Sequence, residues 1–230
     1  MNNLQGVWKE AVSIIFSGDR EFLGIILRSL AISISAIVAA GIVAVPVGYS
    51  LGAGRLKGKR AIEVLFYSLM AFPTVLVGLI LYSIFSRSGP LGALRLLFTP
   101  EIMAVGQFLI ALPVVVVFSM AAVKAVDVRV AETAFALGAG KLKIALTVLQ
   151  EARSAVAAAL AAGFGRAITE VGCAMIVGGN IRGATRILPT AIVLETSKGN
   201  LDKAIASGIV LLLVAFPVVV VFQILSQRSR

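Results

Sequence analysis

Long stretches of this chain carry no charge at all. The runs 29–54, 64–86, 102–123 and 204–227 contain no Asp, Glu, Lys or Arg. About 20 helical residues cross a hydrocarbon core about 30 Å thick, so each run is long enough to span a bilayer. In that medium every backbone N–H and C=O must be satisfied internally, which a helix does within its own segment. A fifth run, 154–181, has the length but is interrupted by Arg166 and Glu170. The expectation is an all-α integral membrane protein with about five transmembrane helices. Composition agrees: 59% of the 230 residues are apolar, against about 45–50% in soluble domains.

Prolines 46, 73, 113 and 217 each fall inside a run. Proline is tolerated in a membrane helix where neighbours satisfy the freed carbonyls, so a kink is expected at each. Orientation follows from the basic residues of short loops. Arg55, Lys57, Lys59 and Arg60 crowd the loop after the first run and place it in the cytoplasm. Alternation then puts 124–153, Arg228 and Arg230 inside, and leaves the N-terminus, 87–101 and 182–203 outside. Residues 1–21, with Trp8, Lys9 and Glu10, read as an interfacial amphipathic segment, and 22–227 as a single transmembrane domain. The turn Gly178, Gly179, Asn180 leads through Arg182 and Arg186 into 187–194, which is too short to span and is expected to be re-entrant or interfacial.

The net charge of +10 does not point to nucleic acid, because the basic residues sit in short clusters between apolar runs and lie along no single face. One Cys and no His exclude disulfide frameworks, Cys/His metal sites and imidazole bases. Cys173, between Gly172 and Ala174, reads as a packing residue. A phosphate-cradling loop needs Gly, four residues, then Gly-Lys-Ser or Gly-Lys-Thr. Gly58-Lys59-Arg60 and Gly140-Lys141-Leu142 both fail that pattern, so the chain itself is not expected to hydrolyse ATP.

Two constellations carry the functional argument. The loop between the third and fourth spans holds Asp127, Arg129, Glu132, Thr133, Ala134, Leu137, Gly138, Ala139, Gly140, Lys141 and Lys143. It is too polar for lipid, and helix formers on either side of Gly138 predict a helix, a glycine break and a second helix. On charge alone it is either a linker or a docking segment. The second constellation is Arg166 with Glu170, one helical turn apart and able to pair. They are either a structural ion pair or part of an anion pathway. The small residues Ala157, Ala158, Ala159, Ala161, Ala162, Gly163 and Gly165 give a helix surface open to close approach, at a dimer axis or elsewhere in the bundle.

The segment 126–139, with Glu132-Thr133-Ala134, three residues and Gly138, resembles the conserved cytoplasmic loop of binding-protein-dependent ABC importer permeases, written Glu-Ala-Ala, three residues, Gly. Ten to thirteen residues after the glycine, where that family has Ile, any residue, Leu, Pro, this chain has Val148, Leu149, Gln150 and Glu151. Further segments resemble the molybdate, tungstate and sulfate branch: Phe-Pro-Thr-Val-Leu-Val-Gly at 72–78, Ser-Gly-Pro-Leu-Gly at 88–92, 163–172, and Gly-Gly-Asn-Ile at 178–181. Leu-Pro-Thr-Ala-Ile-Val-Leu-Glu-Thr at 188–196 is most similar to tungstate permeases.

The resemblance implies a type I ABC importer permease fold whose coupling helix, at Glu132, Thr133, Ala134, Leu137, Gly138, Ala139 and Lys141, docks onto a separate ATPase subunit. It implies a homodimer, a solute-binding protein meeting outer loops that include Gly179, Asn180, Arg182 and Arg186, and a multi-pass place in a bacterial or archaeal cytoplasmic membrane. No cofactor or metal is expected on this chain; ATP and magnesium belong to the partner. Tungstate is the first expectation for cargo, then molybdate or sulfate. The alternatives are a permease for another small solute and a secondary transporter working without ATP, which would need coupling carboxylates, whereas Glu170 is already beside an arginine. With no His and one deep carboxylate, the spans supply no enzyme site.

Overall fold

The computed structural model describes residues 18–54 and 58–227, with isolated positions at 9, 12 and 13. Most of the expected interfacial segment, Trp8 included, lies outside the described residues, as do Arg55, Lys57, Arg228 and Arg230. Every regular element among the described residues is helical.

Among the described residues three helices are continuous and long and apolar enough to cross a membrane: α1 (Arg20–Ala53), α4 (Pro100–Lys124) and α10 (Leu201–Gln227). Two bent pairs bring the number of spans to as many as five. In the first, α2 (Lys59–Met70) and α3 (Thr74–Phe85) meet at 96°. In the second, α6 (Lys141–Glu151) and α7 (Arg153–Ile168) meet at 74°. Short helices complete the chain: α5 (Val128–Ala136), α8 (Gly172–Gly178) and α9 (Leu188–Ser197).

The run 64–86 is therefore not one straight span. It breaks at Ala71, Phe72 and Pro73, and Pro73 becomes the N-cap of α3, a boundary at which its fixed φ and missing N–H cost nothing. Prolines 46, 113 and 217 lie inside continuous helices instead. The run 154–181 also divides, at Thr169, Glu170 and Val171 between α7 and α8. The turn from α6 into α7 needs no proline: Ala152 alone separates the two helices, at φ −78° and ψ 0°.

Glycines set the closest approach in the bundle. A Cβ on Gly48 would lie 2.7 Å from Ser119 Cβ, and one on Gly52 would lie 2.7 Å from Val123 Cβ. These two contacts advance together along α1 and α4, so the two helices run parallel and nearly touch, as small residues allow between membrane helices. α7 packs into the same core, where Phe164, Ala167 and Ile168 join Ile37, Ala40, Ala44, Val115 and Met120. A Cβ on Gly163 would meet Val115 Cγ2 at 2.5 Å and Ile37 Cδ1 at 2.8 Å. The buried part of the small-residue surface is thus used within the chain, while Ala158 and Ala162 remain exposed.

A second core joins Ile32, Leu81, Met103, Cys173 and Val177. By contrast, α2 and α5 bury none of their residues.

Candidate coupling and translocation sites

The polar loop folds as helix, glycine turn, helix. Asp127 caps α5: its Oδ1 accepts from the Arg129 backbone N–H at 2.9 Å, and its Oδ2 accepts from Arg129 Nε at 2.9 Å. The Arg129 guanidinium, helped by that backbone N–H, holds the Asp127 carboxyl below its usual range. At the other end, Gly138 N–H donates to Phe135 O at 2.9 Å and Ala139 N–H to Ala134 O at 3.0 Å. Gly138 stands at φ +80°. The paired bonds around a left-handed residue are the helix-ending motif that favours glycine for want of a Cβ penalty. Nothing lies within 4 Å of where a Gly138 Cβ would be, so the turn needs glycine for its backbone and not for space.

Glu132, Thr133, Leu137 and Lys141 are exposed, and Ala134 and Ala139 half-buried. Asp127, Thr133, Ala134, Leu137, Gly138 and Ala139 help to line a groove of about 620 Å³ between α5 and α6. Three large apolar side chains stand bare as a ridge here, Phe135 at 74% exposure, Leu137 at 82% and Leu142 at 75%; the motif pointed to Leu137 and not to the other two. Large apolar side chains bared on a polar loop mark a surface for association with a protein or a membrane. Their presence in an otherwise polar segment was the available signal.

Arg166 and Glu170 do meet, with Nη1 donating to Oε2 at 3.0 Å. Glu170 lies beyond the end of α7, in the interruption, and is 2% exposed. Its other oxygen accepts from the Cys173 backbone N–H at 3.0 Å. A buried carboxylate is tolerated where both oxygens are engaged, and here one engagement joins α7 to the first turn of α8. The Arg166 side chain is 39% exposed.

The residues expected at the outer face are brought together by a partner the motif did not reveal, the N-terminal end of α1. Arg28 donates from Nε to Arg186 O at 3.2 Å and from Nη1 to Gly183 O at 3.3 Å. Ser29 Oγ accepts from Leu188 N–H at 2.8 Å. Arg182 donates from Nε to Glu21 Oε1 at 2.7 Å, and Arg186 pairs with Glu21 at 3.6 Å. Asn180 Nδ2 donates to Thr190 O at 3.3 Å, and Gly179 takes the left-handed conformation that ends α8. Arg182 and Arg186 line a depression of about 410 Å³ shared with Glu195, Lys198 and Lys203. The Asn200 side chain, with Lys198 adding to it, holds the Glu195 carboxyl below its usual range. Among the described residues no cluster of His, Cys, Asp or Glu is placed to hold a metal ion.

Residues 44–230 match the family described as binding-protein-dependent transport system inner membrane component. A probable anion ABC transporter permease protein of Haloferax volcanii is 43% identical over 189 residues, 80% of this chain and 82% of that protein. The tungstate uptake system permease protein TupB of Peptoclostridium acidaminophilum is 35% identical over 221 residues, 96% of this chain and 97% of the relative. Its counterpart in Campylobacter jejuni is 39% identical over 209 residues, 91% of this chain and 87% of that protein. The chain belongs to the binding-protein-dependent permease family. It is a multi-helix component of the inner membrane, a transport subunit and not an enzyme.

Proposed function

We propose that this chain is the membrane subunit of an ATP-driven importer for a tetrahedral oxyanion, with tungstate the first candidate and molybdate and sulfate next. The observation that carries this reading is the match of nearly full length to two tungstate uptake permeases. In this reading the ridge and groove at Glu132, Thr133, Ala134, Leu137, Gly138, Ala139 and Lys141 receive the ATPase subunit, which binds ATP and magnesium while this chain binds no cofactor. The solute-binding protein delivers cargo at the outer face around Gly179, Asn180, Arg182 and Arg186.

Two copies enclose the pathway. This is supported by α2, which buries none of its residues, and by the non-helical break at Ala71–Pro73, whose residues are exposed. Such backbone is tolerated at membrane depth only against protein or water. Transport is then alternating access between two states with different contacts, and no bond is made or broken by this chain.

The test is ATP-dependent uptake of labelled tungstate into proteoliposomes holding the whole complex, with molybdate and sulfate as competitors and Gly138→Val as a control. Uptake that molybdate competes weakly and the control abolishes supports both the coupling loop and the cargo. A complex that assembles and hydrolyses ATP yet moves no oxyanion overturns the cargo reading.

A further inference from the structure

The two interruptions in the spans meet each other. A Cβ on Gly172, just past the α7–α8 break, would lie 2.8 Å from Val75 Cγ2 and 3.2 Å from Thr74 Oγ1, just past the α2–α3 break. A Cβ on Gly78 would lie 2.9 Å from Cys173 Cα. The bare glycines let the start of α3 settle against the start of α8. Beside this crossing lies a groove of about 220 Å³, walled by Met70, Phe72, Leu112 and Pro113 among other apolar side chains. Its polar side chains are two, Arg166 and Thr74. Pro113 stands midway along α4, so the groove sits near the middle of the membrane.

Each polar group has capacity left over. The guanidinium has five N–H donors, and among the described residues its hydrogen-bond partner is Glu170, through Nη1. The Thr74 hydroxyl has no partner among the described residues. At the adjoining break Ala71, Phe72 and Pro73 are exposed residues on the chain's own surface, and a non-helical stretch beside the groove's mouth favours water or a second copy there over lipid.

We propose that this groove is a mid-membrane stopping point for the transported tetrahedral oxyanion, bound by the free guanidinium edge of Arg166 and by Thr74 Oγ1. The proposal rests on the oxyanion-importer reading and gives that reading a binding site. A planar fork of donors suits two oxygens of one anion, and the apolar walls strengthen its field. Glu170 has two effects. It fixes the guanidinium from behind, and its charge weakens the site so that the ion can leave, as conduction through a site requires. A water's share of liquid volume is about 30 Å³, so the groove has room for a small anion with part of its hydration.

The experiment uses the complete complex with its binding protein in proteoliposomes and follows labelled tungstate. Arg166→Gln alone would strand the buried Glu170 charge, so the informative variant is Arg166→Gln with Glu170→Gln, which replaces the ion pair by a neutral one. Thr74→Val, which leaves the ion pair intact, is its companion. Both are expected to assemble and to lower the maximal uptake rate about tenfold, the loss of a hydrogen bond to a charged group, with the half-saturating concentration unchanged. Wild-type uptake in either variant overturns the site and makes the pair structural only. Should the double variant fail to assemble, Arg166→Lys, which keeps the charge and loses the fork, decides beside Thr74→Val by the same criterion. A wild-type complex that assembles and moves no oxyanion instead overturns the importer reading, an outcome distinct from a failure of this site alone.

Discussion

Gly138 is held by its own backbone, and this separates substitutions that a purely steric view would group together. At φ +80° with open space around it, asparagine is accommodated because it visits the left-handed region, whereas a β-branched residue is strained there by about 1–2 kcal/mol. Gly138→Asn is therefore expected to retain most uptake and Gly138→Val to lose it, measured side by side in the transport assay. Gln107 poses the opposite problem. It is 1% exposed, and neither its Oε1 nor its Nε2 has a hydrogen-bond partner among the described residues. Leaving such a group unpaired costs about 1–3 kcal/mol, while an apolar side chain of like shape does not. Gln107→Met should raise the thermal midpoint of the purified protein, and a fall would mean that the amide is satisfied by ordered water.

Among the elements, α5 is the clearest case of a helix made for something outside its own chain. It is capped at both ends, by Asp127 and by the Gly138 turn, yet buries no residue. Its local order comes from caps, and its apolar side chains are left for a partner. Phe135→Ser with Leu137→Ser should leave the stability of the purified protein within about 0.5 kcal/mol of wild type, as surface changes do, while co-purification of the ATPase subunit falls sharply. Retained association would remove the ridge from the docking surface. This element was legible in the sequence because caps and turns are local: an aspartate, a short helix and a glycine at fixed spacing. The broken spans were not. The run 64–86 has the same uncharged composition whether it is one helix or two, and a proline marks a kink or a boundary according to what satisfies the backbone around it, which is decided by tertiary packing. The Arg166–Glu170 pair was visible as a spacing, but not that Glu170 sits past the helix end and holds the first turn of α8.

The whole bundle is unevenly finished. The α1–α4–α7 side is closed by glycine contacts and a buried core, whereas α2 and the Ala71–Pro73 break lie open. The proposed pairing of two copies along that open side predicts that Ala71→Cys, in a Cys173→Ser background, forms a disulfide between chains under mild oxidation. A non-reducing gel reads the result, and a chain that stays monomeric after oxidation in the assembled complex would place the contact elsewhere. The loop 179–188, in contrast, is fastened to its own chain by Arg28, Ser29 and Glu21, which lie at the N-terminal end of the first helix and share no motif with the loop they hold.

Ala152, the lone buried residue between α6 and α7, acts as a fulcrum. One residue leaves little slack in the joint, so α6 and α7 have the shape of a crank, with α6 as the short arm and Arg166 near the tip of the long one. The 16 residues of α7 make that arm about 24 Å long, and rocking the crank by about 5° sweeps its tip through about 2 Å. In the proposed importer a displacement of that size at the guanidinium would be enough to break a hydrogen bond to an anion, so that a small tug on α6 and the release of cargo would be two ends of one movement.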